Sequence, residues 1–89
     1  MSEPAKVTMM LCSGLRAAEQ EKVERLDGPI SQYFITNGLS VRICRSRGET
    51  SDRLLEFCGA AGVAASVPAA EFLAATDKDA IALIKLDNL

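Results

Sequence analysis

The chain has 89 residues, a net charge of −2 and no histidine, with 48% apolar and 25% charged residues. This length admits one domain, taken as residues 1–89. The lack of histidine excludes Ser-His-Asp and Cys-His catalysis and every His-bearing metal site, and the slightly acidic balance disfavours general nucleic-acid binding, which draws on a basic surface to displace counterions from phosphates.

Residues 6–12 (KVTMMLC) form an apolar run closed by Ser13-Gly14, which predicts a buried strand entering a turn. The run is too short to span a membrane or to serve as a secretory segment. With an odd number of cysteines and no signal peptide, reduced thiols in the cytoplasm are expected. Leu15 to Leu26 predicts a helix with Leu15, Ala18, Val23 and Leu26 on its apolar stripe and Glu19, Glu21, Lys22, Glu24 and Arg25 facing water. Asp27-Gly28-Pro29 interrupts it, and proline suits the first turn of a new helix. Residues 30–38 (ISQYFITNG) admit two readings. As a helix they carry the stripe on through Ile30, Tyr33 and Phe34, and Asn37-Gly38 is a left-handed cap. As a strand they end in a hairpin turn at Asn37-Gly38. The continuity of Leu26, Ile30 and Phe34 favours the helix.

Leu39 to Arg45 alternates as a strand does, with Leu39, Val41 and Ile43 toward the core and Ser40, Arg42 and Cys44 away from it. After a polar loop at Ser46 to Thr50, a helix capped by Thr50 or Ser51 is expected from Asp52 to Ala61, burying Leu54, Leu55, Phe57 and Cys58. Val63 to Ser66 reads as irregular or a short strand. Pro68 opens a third helix to Ala75, Asp77 to Asp79 turns the chain, and Ala80 to Leu86 is a last strand. The predicted order is β-α-β-α-α-β, a small α/β layer structure whose helical crossover makes the first two strands parallel. The hairpin alternative is β-α-β-β-α-β, a ferredoxin-like α+β domain. The expected core residues are Phe34, Phe57, Phe72, Leu54, Ile43, Leu11 and Leu83.

One constellation could carry chemistry. Ligands of parallel sheets bind beyond the carboxyl ends of the strands, and Cys12 and Cys44 would lie near two such ends. If each following loop enters a helix N-terminus, Ser13, Arg16, Arg45, Ser46 and Arg47 would form an anion site there, in surroundings that lower a thiol's pKa. Cys12 and Cys44 are then the candidate catalytic thiols. A structural reading stands beside this one: cysteine is a frequent core filler, and an Arg-rich loop is commonly just solvated. Cys12-Ser13-Gly14 after a strand resembles, over three residues, the phosphocysteine loop of sugar-phosphotransferase IIB domains. Cys44-Arg45-Ser46 similarly resembles the rhodanese active-site loop. The first match lacks the further Gly and Ser/Thr residues of its loop, and the chain is shorter than a usual rhodanese domain. Asp77-Lys78-Asp79 could touch a divalent cation, but suits a turn or a helix cap better. No metal site and no cofactor motif is encoded: C-x-x-C, G-x-G-x-x-G and P-loop patterns are all missing.

Three functions compete. The favoured one is a non-enzymatic protein-binding or regulatory module, with a protein partner or a second copy of itself (a homodimer) on an apolar surface, and no membrane. The second is a cysteine-dependent phosphate or sulfur carrier or transferase using the anion site. The third is a nucleic-acid binder working through Arg42, Arg45, Arg47 and Arg53.

Overall fold

The structure, a computed structural model, describes residues 10–49 and 51–86. Its elements in chain order are β1 (Leu11–Ser13), α1 (Ala17–Arg25), α2 (Asp27–Thr36), β2 (Val41–Arg47), β3 (Leu54–Gly59), β4 (Gly62–Pro68), α3 (Ala69–Ala74), α4 (Asp77–Ala82) and β5 (Lys85–Leu86). The strands form one sheet in the order β1-β2-β3-β4-β5. β1 and β2 are parallel, as the α1–α2 crossover requires, and every other neighbouring pair is antiparallel. The expected α/β class and its parallel first pair are therefore present. Among the described residues, no helix is long and apolar enough to cross a membrane.

The crossover is two helices. Leu26 breaks the first (φ −98°, ψ 13°), and Pro29 falls in the opening turn of the second, where its missing N–H costs no helical bond. Asn37-Gly38 is the helix cap and not a hairpin. Gly38 has φ +76°, Leu39 N–H donates to the Phe34 carbonyl at 2.8 Å, and Gly38 N–H donates to that of Ile35 at 2.9 Å. This double bond is the Schellman pattern, which ends a helix and needs a left-handed residue. The ferredoxin-like alternative falls with it.

The middle of the chain differs from the expected order. Residues 54–59 are strand β3, not part of a helix from 52 to 61. Leu55 and Phe57 point to the core while Leu54, Glu56 and Cys58 occupy the opposite face, so the apolar run has period two. Ala60 and Ala61 turn it into β4 between Gly59 and Gly62, the latter at φ +114°. The end of the chain differs as well. Asp77 to Asp79 opens α4, whose N-cap Thr76 accepts through Oγ1 from the Asp79 N–H at 3.2 Å. The last strand is thereby shortened to Lys85–Leu86. Lys6 to Met9 of the expected first strand and the Thr50 cap lie outside the described residues.

The core forms between the helices and one face of the sheet. Phe34, Phe57 and Phe72 are fully buried, together with Val23, Ile30, Leu55 and Val67. Phe34 and Phe57 meet with ring centroids 5.5 Å apart. Leu54 and Leu83 are only half-buried, and Ile43 and Leu11 leave the expected core outright, at 40% and 72% exposed. The cause for Ile43 is a β-bulge. Val41 pairs with Gly59 but Ile43 with Cys58, so Arg42 is an extra residue and the alternation slips by one. Val41 and Cys44 consequently face the helices. Two charges expected in water are also buried, Glu19 and Lys22 on α1. Lys22 donates to the carbonyls of Leu73 and Ala75 at the end of α3, with its ammonium 5.4 Å from the centre of the Phe72 ring.

Candidate functional site

The five residues expected to hold an anion do not converge. Ser46 lies on the helix-facing side of β2, and its hydroxyl donates to the Gly14 carbonyl at 2.7 Å, tying the ends of β1 and β2 together. Arg16 is the N-cap of α1, and its backbone N–H is taken by Glu19 Oε1 at 2.8 Å. Ser13, Arg45 and Arg47 belong to the other face of the sheet. β2 runs through Ser46 and Arg47 into a hairpin with β3, so no helix begins after Cys44 and the second half of the expected cradle is missing. The space between the β1 and β2 ends is filled by Arg53. Its guanidinium donates to the carbonyls of Gly14 (2.9 Å) and Gly48 (3.3 Å) and grips both Glu19 oxygens (2.7 and 2.9 Å). Its charge is spent inside the fold.

Cys12 and Cys44 are register partners on the helix-facing side of β1 and β2, the first half-buried and the second fully buried. Cys58 is buried on β3, on the other face. Burial pushes all three thiols above their ordinary pKa, Cys44 most. Since the thiolate is the nucleophile, these are thiols held protonated at neutral pH. Among the described residues, no three metal-ligating side chains cluster. Asp77 and Asp79 sit in the first turn of α4, where Arg25 donates to Asp77 at 2.7 Å.

The helices pack on one face of the sheet, and the other face carries exposed apolar and charged side chains. Register partners on neighbouring strands share a face, so the face can be read as rows. A polar row crosses all five strands: Ser13, Arg45, Glu56, Ser66 and Lys85. Beside it runs an apolar row of Leu11, Ile43, Cys58 and Val63, and on the other side Arg47, Leu54 and Pro68. Glu56 is the buried centre of the polar row, its side chain 7% exposed. It accepts from Arg45 Nε at 3.0 Å and from Arg47 Nη1 at 3.4 Å, both guanidiniums remaining more than half exposed.

Compared with family models, curated proteins and solved structures, the chain matches none.

A concave feature lies at the end of the sheet opposite Arg53. A cavity of about 360 Å³ opens between the α2–β2 connection and the β3–β4 turn, lined by Leu39, Ser40, Gly59, Val63, Ala64 and Leu86 among others. Among the described residues none of its lining side chains is charged. Glu56 and Lys85 were not singled out in the sequence, although a lone acid inside an apolar strand, LLEFCG, is a legible sign of an outward-facing buried charge.

Proposed function

We propose that this chain is a small, non-enzymatic protein-binding or regulatory module that works through the bare face of its sheet. The observation that carries this reading is the apolar row Leu11–Ile43–Cys58–Val63, laid in register across four strands with no helix of the described residues over it, Leu11 and Ile43 exposed, Val63 half-buried and Cys58 buried between them. Exposed apolar groups that are contiguous and rimmed by charge mark contact surfaces far more often than scattered ones do. The cysteine-carrier reading has less support, because the thiols face the core or are shielded, and Arg16, Arg45 and Arg47 do not meet at one helix N-terminus beside them. The free state of all three thiols suits a reducing compartment, and the cytoplasm is the proposed location.

A photo-activated cross-linking residue placed at Ile43, and in a second protein at Glu24 on the helix side, tests this in the native cell. A discrete cross-linked product at Ile43 and none at Glu24 is the expected result. The same product at both positions, or none at either, would overturn the proposal. Sedimentation of the purified chain then shows whether the partner is a second copy.

A further inference from the structure

We infer that the bare sheet face takes an acidic partner segment, one that carries apolar side chains along one edge and carboxylates along the other. This rests on the reading of that face as a binding surface and adds the chemistry of what binds. The described residues of its rows hold three cations, Arg45, Arg47 and Lys85, and one carboxylate, Glu56. Glu56 is already shared between the two arginines and is almost fully buried, so it offers no outward negative charge. The face is therefore positive on a chain whose net charge is −2. Of the exposed acids among the described residues, Glu21 and Glu24 lie on α1, Glu71 on α3, Asp77 and Asp79 on α4, and Glu49 and Asp52 in the turn between β2 and β3, outside the rows.

The net positive charge of these rows decides among occupants. A two-fold pairing of two such faces would bring one net positive patch against another, since an isologous contact repeats one patch on both sides. Like charges set against one another across an interface are strongly unfavourable. A nucleic acid would find charge but no aromatic side chain in these rows on which to stack a base. An acidic segment with an apolar edge satisfies both rows together. The apolar row spans about 14 Å over four strands and lies about 7 Å from the polar one, distances that two edges of one peptide segment can cover.

The test uses the full chain and synthetic probes. A fluorescent amphipathic peptide of leucine and glutamate, the same peptide with lysine for glutamate, and a single-stranded oligouridylate are titrated by anisotropy at low and high salt. The expected result is saturable binding of the acidic peptide alone, weakened by salt. Lys85→Glu should weaken it about threefold to tenfold, since this cation contacts no internal carboxylate in the described structure. Ile43→Glu should abolish it, and circular dichroism should show both variants folded. Equal binding of both peptides, or binding of neither, overturns the inference. Binding of the oligouridylate alone assigns the face to nucleic acid and also overturns it. Sedimenting dimers dissolved by Ile43→Glu would assign the face to a second copy. Cross-linking at Ile43 without binding of the acidic peptide removes the acidic partner while leaving the binding face in place.

Discussion

Arg53 and Glu19 join three pieces of backbone that share no element: the turn after β1, the loop after β2 and the first turn of α1. The hydrogen bonds from Arg53, more than any other influence, hold the Glu19 carboxyl below the usual carboxylate range. A carboxyl with a lowered native pKa stabilises the fold fully above its unfolded pKa, and this contribution is lost as the pH falls through the native value. Glu19→Gln should therefore lower the urea midpoint most at neutral pH, with the gap to the parent closing in acid. A gap of constant size across that range would mean the charge of Glu19 plays no part. The cysteines give a second expectation at this scale. A chromogenic disulfide should find all three thiols slow in the folded protein, Cys44 slowest, and all of them fast in urea. One thiol reacting in the native state at the rate of a free cysteine would contradict the burial described here. The sequence marked Arg53 only as one of a cluster of arginines, and its pairing with Glu19 could not be read from it. A helix wheel places Glu19 among exposed acids, and only a residue 34 positions away gives it a reason to be buried.

At the scale of elements, the chain was legible where local chemistry is sufficient. The stripe from Leu26 through Phe34, the Asn37-Gly38 cap and the parallel first pair could all be read in the sequence, because cap and crossover follow local rules. Two signals were present and outweighed. Thr76 with Asp79 three residues on is an N-cap pattern, and the Ala-rich run after it reads equally as strand. In residues 54–59 the two faces of a strand are both largely apolar, so a period of two cannot be separated from a helical stripe by pattern alone. The bulge at Arg42 left no signal, and it reversed the expected sides of Ile43 and Cys44. Gly59, where β3 ends, shows how closely these elements approach. A methyl group there would run into the carbonyl oxygen of Ser40, backbone against backbone. Gly59→Ala should cost about 1–3 kcal/mol through forced displacement, measured by chemical denaturation. A midpoint equal to that of the parent would show that the β3 end and the Ser40 segment move apart freely.

For the whole molecule, the class of the fold followed from element order, whereas the candidate surface did not. Leu11 and Ile43 both looked like core residues, because nothing in a single sequence tells which face of a sheet the helices will cover. Arg45 and Arg47 were noticed for their charge and assigned to a loop. Their meaning changed once β2 was seen to continue through Arg47 and to bring both of them onto Glu56. The structure also gathers three cations, Arg45, Arg47 and Lys85, on the rows of one sheet face around a single buried carboxylate, Glu56. No composition average records this, since the total is −2 whichever way the charges are arranged.

The sheet is a three-stranded meander, β2 to β4, with a short strand added at each side. Among the described residues β1 contributes three residues and β5 two, each joined to the meander through a pair of helices. Such an arrangement does not open as one body. Short outer strands open locally at small free-energy cost, while central ones exchange only on global unfolding. Amide exchange should rank the sheet accordingly, with β3 last to exchange, β1 faster and β5 fastest. Equal protection of β3 and β5 would instead describe a single cooperative unit. Because Lys85 sits on β5, each local opening removes the end of the cationic row and leaves the apolar row intact. If the proposed acidic partner binds this face, its grip would loosen and recover on the timescale of that fraying, and release would need no unfolding of the rest of the chain.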